Sequence, residues 1–398
     1  MSNQYFIKRG LKIPDKLRIA RYERSPEMGP SILFFSGGTA LNDLSKKLKK
    51  FTHNSIHMMT PFDSGGSSAV LRQSFDMPAI GDLRARLMAL ADDSVKGLPD
   101  VFALFSHRLS KTSPHPVLEK QLFDMTQGVH SLVAAIPEPM RQLICNQLAF
   151  FQSHKPDNFN LRGASVGNLI LSGGYLNNTR HLEPIVFLFS KLVEVRGTVR
   201  LTVDDNFHLA VELENGDVIV GQHRMTGKEK PPISKRIKRM FLSRNIDQLQ
   251  PVESVLCERQ KQLIINADMI CFPPGSYYSS VLASLLPKGV GKAIYSNQGP
   301  KVFIPNLGED PEMLGMDVND AIQTLLDYIQ QDLEHPVPEN RLLSHIVIDK
   351  NNEQQQETID RVRWQQHGMQ IVETNIISKS SAPFYDTDAL LSVLLSFC

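Results

Sequence analysis

Asp63 is the acid best placed for chemistry in this chain. It stands in Thr60-Pro61-Phe62-Asp63-Ser64-Gly65-Gly66-Ser67-Ser68, one carboxylate among hydroxyls and two glycines. Such a loop suits a sugar, a phosphate or a metal ion, because a carboxylate can ligate a hard cation or take a hydroxyl proton. Glycine adds access: with no side chain, Gly37 and Gly38 of the turn before it let a phosphate come close to the backbone. Three more turns share this small, hydroxylated character. They are Ser36-Gly37-Gly38-Thr39, Gly163-Ala164-Ser165-Val166-Gly167-Asn168 and Pro273-Pro274-Gly275-Ser276-Tyr277-Tyr278-Ser279-Ser280. Arg84 and Arg86 follow the first two turns, so either a solvated face or contact with phosphate is open to them.

Each turn needs an element on either side to aim it. Ile32–Phe35 and Ile56–Met59 are short apolar runs of the kind a buried parallel strand requires. After the first, Leu41, Leu44, Leu48 and Phe51 recur at helical spacing, which makes a strand, a Gly-Gly turn and a helix whose N-terminus would face an anion. Gly81-Asp82 precedes a strongly helical Leu83–Ala91, with Asp82 as its cap. Residues 95–160 are rich in Leu, Phe, Met and Gln and predict a helical insertion that could cap the site. Residues 193–223 switch to a period of two, with Asn215-Gly216-Asp217 as a hairpin turn, and predict an antiparallel excursion. Ile264–Phe272 predicts another buried strand ahead of the Pro273–Ser280 turn. Residues 336–398 predict β-α-β-α within the same sheet, whereas 1–30 are either a surface-packed arm or a partly ordered leader.

The totals exclude several classes. With 43 basic and 42 acidic residues among 398, the net charge is +1 and no global field draws the chain to nucleic acid or an acidic membrane. The basic run Met225–Arg244, with Lys228, Lys230 and Arg236 against Glu229, lacks interleaved aromatics except Phe241 and predicts a solvated loop. No apolar run is long enough for a signal peptide or a membrane span, so a cytoplasmic protein is expected. Cys145, Cys257, Cys271 and Cys398 form no C-x-x-C pair and predict buried, reduced thiols. The histidines give no metal set. Neither a Gly-Lys-Ser/Thr loop nor a full G-x-G-x-x-G fingerprint is present.

In order and combination these motifs resemble the 2-phospho-L-lactate transferase (CofD) superfamily, and specifically its branch of YvcK-type gluconeogenesis factors, which bind UDP-sugars. The resemblance runs from about Ser31 to the C-terminus. It rests on Gly37-Gly38-Thr39, Asp63-x-Gly-Gly-Ser-Ser, Gly81-Asp82-Leu83-Arg84, Ser165-x-Gly167-Asn168, Ala267-Asp268, Pro274-Gly275-Ser276 and Asn306-Leu307. It implies an α/β fold, a Rossmann-like doubly wound, mostly parallel sheet with helices on both faces. It also implies a nucleotide or nucleotide-sugar ligand, with GDP or a UDP-sugar as the types known in the family. In the transferase branch a phospholactyl group passes to a hydroxyl with a divalent metal, Mg2+ or Mn2+. Carried over by position, Asp63 is catalytic and shares the metal with Asp268. Gly37, Gly38, Thr39, Gly65, Gly66, Ser67, Ser68, Arg84, Gly167, Asn168, Pro274, Gly275, Ser276 and Ser279 line the nucleotide. Ser64 stands where the gluconeogenesis-factor branch has a second acid, Ala40 where it has a glycine, Ala164 where it has a histidine, and Tyr385 where it often has another. Two functions therefore stay open, a magnesium-dependent transferase and a non-catalytic UDP-sugar sensor, beside a third in which the glycines only serve packing. No nucleic acid or membrane partner is expected, and a homodimer is left open.

Overall fold

The computed structural model describes residues 10–92, 99–227 and 230–398. Its centre is a parallel sheet of seven strands: β1 (Ile32–Ser36), β2 (Ile56–Met59), β3 (Thr198–Leu201), β8 (Met269–Phe272), β9 (Lys301–Phe303), β10 (His345–Asp349) and β11 (Gln370–Thr374). A second, antiparallel sheet holds β4 (His208–Leu213), β5 (Val218–Val220), β6 (Ile237–Ser243) and β7 (Pro251–Val252). The large sheet runs β11-β10-β9-β8-β1-β2-β3, and the small one β5-β4-β6-β7. This is the doubly wound α/β arrangement expected.

Every residue of β1 is buried, so it can be apolar on both faces. Alternation divides them. Leu33 and Phe35 join a core that includes Leu209, Val211, Met240 and Leu242 of the small sheet. Ile32 and Phe34 face Leu44, Leu48 and the C-terminal helix Thr387–Phe397. A third apolar cluster belongs to the helices Pro99–Ser106, His115–Thr126, Ser131–Ala134 and Met140–His154, packed on Val166–Asn177 and Leu182–Leu192. Residues 95–98 of the expected insertion lie outside the described residues. At the other end, helix Lys16–Arg24 rests on the C-terminus, where Arg18 Nη1 donates to Ser396 O and Tyr22 Oη donates to Cys398 O.

Four expectations are corrected. Thr198–Leu201 belongs to the large sheet, pairing in parallel with β2, so the antiparallel excursion starts only at β4. Within the basic run, β6 replaces the expected loop: Ile237, Met240 and Leu242 point inward while Lys238 and Arg239 stay exposed and pair with Glu212. Lys228 and Glu229 lie outside the described residues. Ile264 and Ile265 close a helix, Glu258–Asn266, and the strand begins only at Met269, after Ala267 and Asp268 break the helical run. Cys257, expected to be buried, is the exposed N-cap of that helix. No helix among the described residues is long and apolar enough to cross a membrane.

Candidate functional site

β8 and β2 flank β1 on opposite sides, so the chain leaves β1 and β8 in different directions and opens a crevice at their carboxyl ends. A cavity of about 190 Å³ occupies it, lined by Ser36–Leu41, Pro273–Ser276, Asp63, Asp82, Gln222 and Ser280. Gly37, Gly38, Thr39, Asp63, Pro274, Gly275 and Ser276 are thus brought together. The following helix, Asn42–Leu48, starts three residues beyond Thr39. The turn's own backbone, and not a helix end, is what faces the crevice.

The two glycines have a packing reason. A Cβ on Gly37 would collide with Ser280 Oγ, and one on Gly38 with the Asp82 carboxylate. The turn is closed from below by Arg86, which is fully buried, donates from Nη2 to Gly37 O at 3.0 Å and Gly38 O at 3.1 Å, and bonds Ser45 Oγ. Burial pulls the Arg86 guanidinium down to about 10, and Asp82 works against the fall. Asp82 and Arg86 are four apart on helix Gly81–Leu90, and so lie on one face. Asp82, expected as a cap, therefore enters the crevice from the first helical turn.

The Asp63 loop is fixed from behind. Arg72, also buried, donates to Asp63 O at 3.1 Å, Phe62 O at 3.2 Å and Phe207 O at 2.6 Å, and to Asn206 Oδ1 at 2.8 Å. Asp63 Oδ1 accepts the Gly65 N–H at 3.1 Å. Ser64 Oγ lies 2.8 Å from His223 Nδ1 and accepts the His223 N–H at 3.2 Å. Beside them, Gln222 Oε1 is buried with no hydrogen-bond partner. Asp63, Asp82 and this amide oxygen are hard donors, the kind a magnesium ion takes while keeping water and phosphate as its other ligands. Among the described residues no group of three or more His, Cys, Asp or Glu could hold a metal without such help.

Asp268 is not part of this set. It precedes β8 at the far edge of the sheet, about 13 Å of strand away at ~3.3 Å per residue, and accepts from Ser31 N and Ser31 Oγ at 2.8 and 3.0 Å. The expected Asp63–Asp268 metal pair is corrected, and Asp82 is the second crevice acid. Ser279 is corrected too. A π-turn over Tyr277–Val281 shifts the register, so Ser280 faces the crevice while Ser279 donates from N and Oγ to buried Glu312 at 2.8 and 2.5 Å. Burial, with Asp310 adding to it, pushes the Glu312 carboxyl up to about 7. Asn306 completes the clamp on this loop by exchanging hydrogen bonds with Gly275 N and O at 2.7 and 2.8 Å.

Other expected site residues gather elsewhere. Gly66, Ser67 and Asn168 line a separate cavity of about 540 Å³ under the helical insertion. Arg84 lies beside it, with Nη1 directed to Phe105 O, and Gly167 is pressed against Arg84 and Phe105 O so closely that a Cβ would not fit. Ser68 is buried and packs beneath Gly81. Asp82, Gln222, Ser280, Arg108, Lys111 and Arg162 went unforeseen. Two carried a signal: Asp82 in the Gly81–Arg84 motif and its four-residue spacing from Arg86, and Ser280 at the end of the hydroxylated turn after Pro273.

The fold and crevice define a doubly wound α/β protein with a glycine-lined cavity at its topological switch. Its sequence matches the family described as "2-phospho-L-lactate transferase CofD" over residues 32–377, and the chain belongs to that family. It is 29% identical over 300 residues to the gluconeogenesis factor of Halalkalibacterium halodurans, covering 75% of this chain and 73% of that one. It is equally 29% identical over 297 residues to the gluconeogenesis factor of Bacillus subtilis, 74% of each. A solved protein of the UPF0052 family from Bacillus halodurans shares the fold with a TM-score of 0.65 at 23% identity, covering 92% of this chain and 98% of that one.

Proposed function

We propose that the crevice binds a nucleoside-diphosphate-linked ligand and supports transfer of its distal phospho group to a hydroxyl acceptor: the acceptor oxygen forms a new P–O bond, the diphosphate P–O bond breaks, and the nucleoside monophosphate leaves. What carries this reading is the convergence of Asp63, Asp82 and the unpaired Gln222 Oε1 on one glycine-lined cavity at the switch point. The diphosphate would lie over Gly37–Thr39 and Pro274–Ser276. Its base and sugar would extend into the adjoining cavity of about 520 Å³, which shares Pro274–Ser276 and is walled by Leu307, Phe384 and Tyr385. Asp63 and Asp82 would hold Mg2+, which when bound supplies charge neutralisation at the phosphate oxygens. The chain's own part is positioning and exclusion of repulsion, the main demands of phosphoryl transfer. Asp63 is the group that takes the acceptor's proton.

A second reading, a nucleotide-sugar sensor without turnover, is favoured by one feature. Ser64, in place of a carboxylate, is committed to His223. Both readings are separated by one experiment: GDP, UDP and UDP-sugars are screened by melting temperature with and without Mg2+, then incubated with hydroxyl acceptors. A Mg2+-dependent shift with product that disappears in Asp63→Asn supports transfer. Tight binding indifferent to Mg2+, with no product, rejects transfer in favour of the sensor. No shift with any nucleotide rejects both.

A further inference from the structure

We propose that the cavity beneath the helical insertion is a second ligand site, taking the phosphate or carboxylate group of a molecule other than the nucleotide. Two helices of ten and twelve residues, Gly66–Phe75 and Val166–Asn177, start at this cavity, and neither has a side-chain cap on its first-turn N–H groups. Arg108, Lys111 and Arg162 line the cavity and no acidic residue does. None of the three forms an ion pair among the described residues. Arg108 and Arg162 spend one edge each on backbone carbonyls, Gly163 O at 3.2 Å and Ser113 O at 3.3 Å.

The floor is independently incomplete. Ser165 and Asn168 are 1% and 2% exposed, both line the cavity, and Ser165 Oγ and Asn168 Oδ1 have no hydrogen-bond partner. Buried polar atoms are rarely left so in a finished protein. A half-turn of the Asn168 amide would present N–H in place of the oxygen. Arg84, just behind, has its Nε buried and unpaired as well. Burial first, and then the charge of Arg108, pulls its guanidinium down to about 10, with no carboxylate opposing the fall. Arg108, Lys111 and Arg162 thus line a cavity of about 540 Å³ together with Ser165 and Asn168, a set that can donate to an anion.

The insertion explains why this site belongs to the chain's own chemistry. Arg108 and Lys111 lie at its start and Arg162 at its end, so residues 115–154 form a roof closed by the basic residues at its two feet. The site does not share a lining residue with the crevice. The anion's bearer would be the acceptor of the proposed transfer; that part alone rests on the function above, and the anion site itself does not.

The test uses the full chain and inorganic phosphate, against chloride at equal ionic strength. Melting temperature is followed together with acylation of Lys111 by an amine reagent, read by mass spectrometry. Phosphate should raise the melting temperature and protect Lys111. Arg108→Ala combined with Arg162→Ala, both exposed positions, should lose the protection and most of the rise. Ser67→Asp, which places a carboxylate at the exposed helix start, should melt higher in chloride and respond no further to phosphate. An unprotected Lys111 in the native chain, or a phosphate response unchanged in both variants, overturns the site. Nucleotide binding is measured in parallel. Its total absence with Lys111 still protected would refute the proposed function and leave the anion site standing.

Discussion

The crevice and the roofed cavity are built from the same parts and carry opposite charge. Both are lined by glycine-containing turns. The crevice adds Asp63 and Asp82, whereas the cavity adds Arg108, Lys111 and Arg162. An anion in the crevice must therefore arrive with a cation, while an anion in the cavity is met directly by guanidinium and ammonium groups. Where charge of opposite sign is held apart in two pockets of one fold, two partners of different chemistry are the simplest occupants.

The hardest way to break this division is from underneath. Buried Arg86 donates to both the Gly37 and Gly38 carbonyls, and the Asp82 carboxylate interacts with its charge. Arg86→Leu should cost about 3–5 kcal/mol in chemical denaturation, since two carbonyls and a carboxylate lose their buried cation together. A loss under ~1 kcal/mol would mean the turn is held by packing alone. Next in size is the crevice itself. Asp63→Asn with Asp82→Asn should weaken Mg2+-dependent nucleotide binding on the order of 10- to 100-fold, from ~1.5–3 kcal/mol of charged interaction lost. Phosphate protection of Lys111 should be untouched. If both responses fall together, the two pockets are one site.

How much of this was legible in the sequence depended on whether a residue acts locally. The turns at 36–39, 63–68 and 273–280 stood out because small residues and hydroxyls cluster after apolar runs, and strand, turn and helix are local events. Asp268 misled because its neighbours form a strand and the chemistry of an acid says nothing of which strand end it occupies. Ser279 and Ser280 differ by one position, and only the π-turn decides which one faces the ligand. The roofed cavity was illegible for another reason. Arg108 and Arg162 are separated by 53 intervening residues, and nothing but the packing of helices 115–154 brings them together. Basic residues of a solvated face look the same in sequence.

Below the crevice loop, Glu312 offers a smaller, pH-dependent lever on one side of the comparison only. Its carboxyl is raised above its unfolded value of 4.5, so the folded state binds the extra proton between about 4.5 and 7. Its contribution to stability is therefore full below the lower value and lost as pH rises through the upper one, at up to about 1.4 kcal/mol per pH unit. Denaturation midpoints across that window should fall for the native chain and stay flatter for Glu312→Gln. Equal slopes would show that Glu312 is already ionised, with Ser279 N–H and Oγ–H stabilising the charge. Phosphate binding in the roofed cavity should not follow this titration, because no group of that cavity touches Glu312.

The smallest effect tests how acid the crevice needs to be. Ser64 is 5% exposed, one residue from Asp63, and its Oγ already receives the His223 N–H. Ser64→Asp would add a carboxylate where an N–H donor and an imidazole stand ready to receive it, so the fold should tolerate the change. It should tighten Mg2+-dependent nucleotide binding by roughly tenfold or less, the ~1 kcal/mol expected of one added, partly solvated charge pair. Under the transfer reading, turnover should rise with it. A gain in Mg2+ affinity without product would instead mark the crevice as a place where a nucleotide is held and read. The basic cavity would then serve an effector and not an acceptor.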